Sequence, residues 1–173
     1  MLDDAAIERW SRQILLPEVG GRGQSRLLAA RVAVTGDGAA AAIVRDLLAR
    51  GGVRNGDGGD VLVEVDTPPR YVTRGTVVVR ATTRGAGGTV WTLVGRPCGL
   101  CLADVGDAGG PPDPVLDGIA AQALGALTAN EVLCALLVPP SAGRGHRIDI
   151  AAGRYEAIAP RTSGACDACG GHA

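Results

Sequence analysis

Apolar positions along the chain change their period several times, and each change marks an element. Val32, Ala33 and Val34 form a short β-type run, Gly36-Asp37-Gly38 makes a turn, and Ile43, Val44, Leu47 and Leu48 then recur at helical spacing. Ahead of this unit, Asp3-Asp4 is placed to cap a helix through Ala5, Ala6, Ile7 and Trp10 that Pro17 interrupts. A second short helix is predicted from Gln24 to Ala30. Behind the unit, Gly51-Gly52 ends the helix and Asn55 to Gly59 reads as a loop of turn formers. Val61 to Asp66 is the second predicted strand, stopped by Pro68-Pro69. Thr76 to Arg80 and Thr89 to Val94 are two further β-type runs, Asp117 to Val138 a long helix with an apolar face, and His146 to Ile150 with Arg154 to Ile158 a closing hairpin.

Strand, glycine turn and helix over Arg31 to Gly51 is the order of a nucleotide-binding βα unit. Glycine lets backbone approach a phosphate while the helix amino end presents free N–H groups and positive dipole. Ala41 stands at the third glycine position of GxGxxG, where a small residue suffices. Glu64 and Asp66, ending the second predicted strand, sit where an acid catches the ribose hydroxyls of a nucleotide. Between Arg70 and Val94 there is no room for the helices that a complete doubly wound sheet requires. The expected class is therefore α/β, a truncated Rossmann-like sheet in one domain spanning residues 1–173. It comprises a helical arm (1–30), a βαβ unit (31–66) and a reduced second half (70–173).

Composition narrows the function. A net charge of -1 supplies neither the phosphate neutralisation of a nucleic-acid binder nor a polybasic membrane patch. Phe is absent, so base-stacking platforms are not expected and the core falls to Val, Leu, Ile and Ala. All 17 basic residues are Arg, which rules out a P-loop lysine and a Schiff-base lysine. No apolar run is read as long enough to span a bilayer, and the acidic amino end is unlike a signal peptide, so a cytoplasmic protein is expected. Cys134, within the long helix, is expected to be a core residue.

The main chemical signal is two CxxC pairs, Cys98-Gly99-Leu100-Cys101 and Cys166-Asp167-Ala168-Cys169. Four thiolates at this spacing, in turn-rich surroundings, suit a closed tetrahedral zinc that staples the end of the chain to its middle. Two disulfides or a thioredoxin-like redox pair are the alternatives. His172 is a candidate substitute ligand, with a solvated terminal histidine the favoured alternative.

The order of motifs carries a resemblance. Arg9-Trp10-Ser11-Arg12-Gln13-Ile14-Leu15-Leu16-Pro17 is followed by Gly23-Gln24, the strand with its glycine turn, LVEVD, Pro97-Cys98-Gly99-Leu100-Cys101, the helix GIAAQALGALTANEVL and a final CDACG. This succession, touching nearly the whole chain, resembles the ubiquitin-like-protein activating superfamily, the ThiF, MoeB and HesA group. The resemblance implies ATP bound on a Rossmann-like sheet, adenylation of the carboxyl terminus of a small β-grasp sulfur-carrier or ubiquitin-like protein, and a dimer. It would put Gly36 and Gly38 under the phosphates, Glu64 on the ribose and Asp66 as the second acid. Cys98, Cys101, Cys166 and Cys169 would hold zinc, and Arg12 would reach into a neighbouring subunit's ATP site.

The chain also departs from the family. Its turn continues as Ala39-Ala40-Ala41 where the family has further glycines, and the Asn, Arg-Gln, Lys and Asp expected after LVEVD have no counterpart around Thr67-Pro68-Pro69. No Cys between Cys101 and Cys134 can serve as an acceptor thiol. Without a cationic clamp and a metal acid, an adenylation site loses its electrostatic stabilisation. The expectation is a degenerate member acting as a non-catalytic subunit or scaffold, beside a homologous ThiF-like subunit, itself, or a small carrier. A reduced adenylyltransferase is the other class.

Overall fold

The computed structural model describes residues 2–70, 76–95, 97–100, 102 and 112–160. Helix α1 (Asp4–Ile14) begins where the Asp3 carboxylate accepts a hydrogen bond from the Ala6 N–H at 2.8 Å, and it kinks at Trp10. Helix α2 (Gly20–Ala29) starts four residues before the expected Gln24. Packing overrides propensity here. A Cβ on Gly23 would stand 2.9 Å from the Leu137 side chain, so glycine lets this turn lie against the end of the long helix. Strand β1 (Arg31–Thr35) and helix α3 (Ala39–Arg50) fall as the periodicity predicts.

Arg54 and the first residue of the expected loop, Asn55, form a strand, β2 (Arg54–Asn55), paired parallel to β1. Strand β3 (Val61–Val65) pairs with the other side of β1 and with β4 (Val77–Arg84), both parallel. Strand β5 (Gly87–Val94) returns antiparallel, joined to β4 by the short turn at Gly85 and Ala86. Helix α4 (Pro114–Leu137) starts three residues before the expected Asp117, because Asp113 caps it by accepting from Val115 and Leu116. Proline at the first helical position suits that start. Strands β6 (Arg144–Asp149) and β7 (Arg154–Ile158) close the sheet, whose order is β2-β1-β3-β4-β5-β6-β7.

Helices α3 and α4 lie on one face. Val44 and Leu48 of α3 and Leu124 and Val132 of α4 bury against Val32, Val63, Val79 and Val90. Gly125 makes their close contact possible, since a Cβ there would meet Ala40 and Ile43 at 2.9 Å. Cys134 is only half-buried, at the rim of this core. Helix α4 is long and apolar enough by length and composition to cross a membrane, which the sequence reading did not anticipate, but half of that stretch is buried within the protein. The opposite face carries a smaller cluster, Val78, Trp91 and Leu93, with Leu62, Leu102 and Ile158 packed on it. Among the described residues no helix covers that face.

Candidate functional site

The glycine turn stands at the carboxyl end of β1. Gly36 has φ +111°, and a Cβ there would collide with the Val65 carbonyl oxygen at the end of β3. Only glycine lets the turn cross so close to the neighbouring strand. Gly38 caps α3 with extended backbone and no side-chain bond, and a Cβ there would meet nothing within 4 Å. No side chain caps the first N–H groups of α3, at the helix's positive end. Behind the turn, the Arg45 guanidinium donates to the carbonyls of Gly36 (2.6 Å) and Val34 (3.2 Å). These two bonds tie the turn to α3.

The two acids of the sequence reading lie elsewhere than their expected role requires. In the classic doubly wound order, the strand after the first helix, whose end supplies the ribose acid, lies on the opposite side of β1 from the rest of the sheet. That place is taken by β2; Glu64 and Asp66 belong to β3, across β1 from it. The missing crossover is thus at residues 56–60, between β2 and β3, and not only after Arg70.

Both acids are also engaged. Glu64 is 1% exposed; it accepts from the Arg80 guanidinium at 2.8 Å and from the Arg70 N–H at 3.0 Å. Arg80 also donates to the Thr67 carbonyl at 2.8 Å. Gly99 packs over this pair, its Cβ position 3.8 Å from Glu64 Oε2. The segment that opens the first CxxC therefore lies on Glu64. Asp66, at φ +51°, accepts from the Thr83 N–H (2.6 Å) and the Thr83 hydroxyl (2.8 Å) and so ties β3 to β4.

Arg12 lies exposed on α1, which is anchored at the far end of α3. The Trp10 indole N–H and the Gln13 amide donate to the Arg50 carbonyl at 3.3 and 3.4 Å, and buried Gln24 donates to the Gly51 carbonyl at 3.1 Å. These donors satisfy carbonyls left open at the helix end. A helix of 12 residues is about 18 Å long, so Arg12 cannot reach its own glycine turn.

Cys98 is half-buried. Cys101, Cys166, Cys169 and His172 lie outside the described residues. Among the described residues no three metal-ligating side chains converge.

One polar cluster went unread in the sequence. Glu131, buried on α4, accepts from the Thr92 hydroxyl (2.6 Å) and Arg144 Nε (2.8 Å), with His146 Nε2 at 3.3 Å. Tyr155 O–H lies 2.7 Å from His146 Nδ1, and the two rings stack. Burial pushes the Glu131 pKa up, but hydrogen bonds from Arg144 and Thr92, with the charges of Arg144 and His146, outweigh it and hold the carboxyl below its ordinary range. The hydrogen bond from Arg144 to Glu131 correspondingly raises the Arg144 pKa against the opposing effect of burial. A carboxylate amid the apolar face of α4 was the available signal. The cluster clamps the β5-β6-β7 half of the sheet to α4.

No known family's sequence profile matches the chain, and no curated protein matches it. Solved structures do match its fold. E. coli MccB superposes with a TM-score of 0.68 at 15% identity, over 95% of this chain and 72% of that one. PaaA gives 0.64 at 11%, over 91% and 74%. A heterocyclase in complex with substrate and cofactor gives 0.57 at 13%, over 98% of this chain but 28% of that one. MccB has been solved with ATP, and with AMPCPP and MccA together. The chain thus has a mixed α/β fold, a seven-stranded sheet with helices, similar to that of MccB. Its likeness to MccB is one of fold.

Proposed function

We propose that this protein is a non-catalytic ThiF/MoeB-type subunit that works beside a complete homologous adenylating enzyme or holds a small β-grasp carrier or peptide. One observation carries the reading. The two acids at the carboxyl end of β3 are both engaged within the protein: Glu64 is buried against Arg80, and Asp66, though exposed, already accepts two bonds from Thr83 beside the glycine turn. Arg45 is likewise spent on the turn's own carbonyls. Phosphoryl and adenylyl transfer depend on preorganised charge at the phosphates, and this turn lacks it among the described residues. MccB, solved with MccA, supports a small polypeptide as the partner class. Arg12, exposed and a helix length from its own turn, suits lending to a partner's ATP site. Zinc on Cys98, Cys101, Cys166 and Cys169 belongs to the same reading as a structural staple.

A second reading, a reduced adenylyltransferase, draws on the uncapped amino end of α3 at Gly38. Pyrophosphate exchange into ATP, measured with the isolated chain, magnesium and a carrier peptide, separates the two. No exchange is expected. Exchange that falls when Asp66 is changed to Asn would establish the enzyme instead.

A further inference from the structure

Tyr155, His146 and Glu131 form a chain of polar contacts that runs from an exposed phenol to a buried carboxylate. The pairing of β6 with β7 sets Ile148 opposite Tyr155 and His146 opposite Ala157, so Tyr155 and His146 are diagonal neighbours on one face of the sheet. Glu131 meets that face from α4 and is 4% exposed, whereas Tyr155 is 59% exposed. With a neutral imidazole the protons have one arrangement. Glu131, ionised and accepting from Thr92 and Arg144, can only accept, so His146 Nε2, 3.3 Å from its Oε1, carries the ring proton. Nδ1 is then an acceptor, and the Tyr155 O–H at 2.7 Å donates to it.

We propose that Tyr155 is a nucleophilic phenol, activated by His146 and positioned through it by Glu131, that accepts the group carried by a phosphoryl-class electrophile. A nucleophile, a base within hydrogen-bond reach and a carboxylate that orients the base are the parts such activation needs. The stacked rings, 5.5 Å between centroids, hold phenol and imidazole together before any electrophile arrives. In the step itself the phenol oxygen bonds to phosphorus, the bond from phosphorus to the leaving group breaks with its electron pair going to that group, and the phenol proton passes to His146 Nδ1. The imidazolium so formed faces the Glu131 carboxylate. Arg144 selects the class of electrophile. Its pKa is raised chiefly by Glu131 and to a smaller extent by Cys134 and Tyr155 beside it, and its side chain is 47% exposed. A guanidinium there offsets the negative charge that grows on phosphoryl oxygens. The titratable groups around the phenol and its base are thus Glu131 and Cys134 on α4 and Arg144 on β6.

The test treats the full chain with diisopropyl fluorophosphate, a phosphoryl electrophile whose leaving group is fluoride, and locates the adduct by peptide mass spectrometry. The adduct is expected on Tyr155, formed about 100-fold or more faster at pH 7 than on N-acetyltyrosinamide. Tyr155→Phe should abolish it, and His146→Gln should slow it about tenfold or more, with circular dichroism reporting whether each variant is folded. The pH profile separates activation from exposure alone. The rate for N-acetyltyrosinamide should climb about tenfold per pH unit towards the ordinary phenol value of about 10, while the rate at Tyr155 should level off well below that. Glu131→Gln, which removes the carboxylate facing the imidazole, should move the plateau to lower pH. The parent's profile needs no variant, so it decides even where His146→Gln does not fold. No adduct at Tyr155, a rate equal to that of the model phenol or a profile of the same shape overturns the proposal. So does a folded His146→Gln chain that reacts like the parent, or a plateau that Glu131→Gln leaves in place. None of these outcomes bears on the pyrophosphate exchange that tests the proposed function.

Discussion

Gly36 lies with its α-carbon against the backbone carbonyl of Val65, leaving no space for a side chain between the glycine turn and the end of β3. The contact joins the two strands at the point where the sheet's strand order reverses, β2 lying on one side of β1 and β3 on the other. In open α/β sheets that is the ligand crevice.

Gly36→Ala therefore meets both a positive φ and a backbone collision. We expect it to cost about 2–4 kcal/mol, measured by urea unfolding. Gly38→Ala, with nothing within 4 Å of the added carbon and an ordinary φ, should stay within about 0.5 kcal/mol of the parent.

Leu124 is fully buried between α4 and the sheet. Leu124→Ala should lose about 2–5 kcal/mol, and a loss under about 1 kcal/mol would contradict the packing described for this face.

Glu131 makes stability depend on acid. Its folded pKa is lowered, so the network's contribution is complete above the unfolded carboxyl value of about 4.3 and is lost as pH falls through the folded pKa. Glu131→Gln should cost about 1–3 kcal/mol at pH 7, and the gap from the parent should narrow on acidification. Urea titrations across the acid range check this; a constant gap would mean that the charge of Glu131 does not matter.

Zinc is expected at one mole per chain, and chelation should lower the melting temperature more than it changes any binding function. Metal analysis of protein purified without chelator decides the stoichiometry.

Arg12→Ala should slow adenylation by a complete homologous partner in a mixed complex while the complex still forms. Equal rates with Arg12 and Ala would reduce the subunit to a structural role.

Much of the fold was legible because it is local. Strand β1, the turn at Gly36 to Gly38 and α3 follow from period and glycine placement, and Asp3 marks the start of α1. The order of strands was not legible. Val61 to Asp66 has the same apolar run and acidic end on either side of β1, and periodicity says nothing about which neighbour a strand takes. Arg54–Asn55 is too short to carry a period at all, yet its pairing moves Glu64 and Asp66 away from the ribose position. The fate of individual charges was equally hidden. Arg80 and Thr83 lie 16 and 17 residues from the acids they engage, and Glu131 meets Thr92 across 39 residues of chain. Local propensity determined which segments became helix and strand, while long-range pairing decided which acids remained available, because a buried carboxylate must find a donor wherever the fold supplies one.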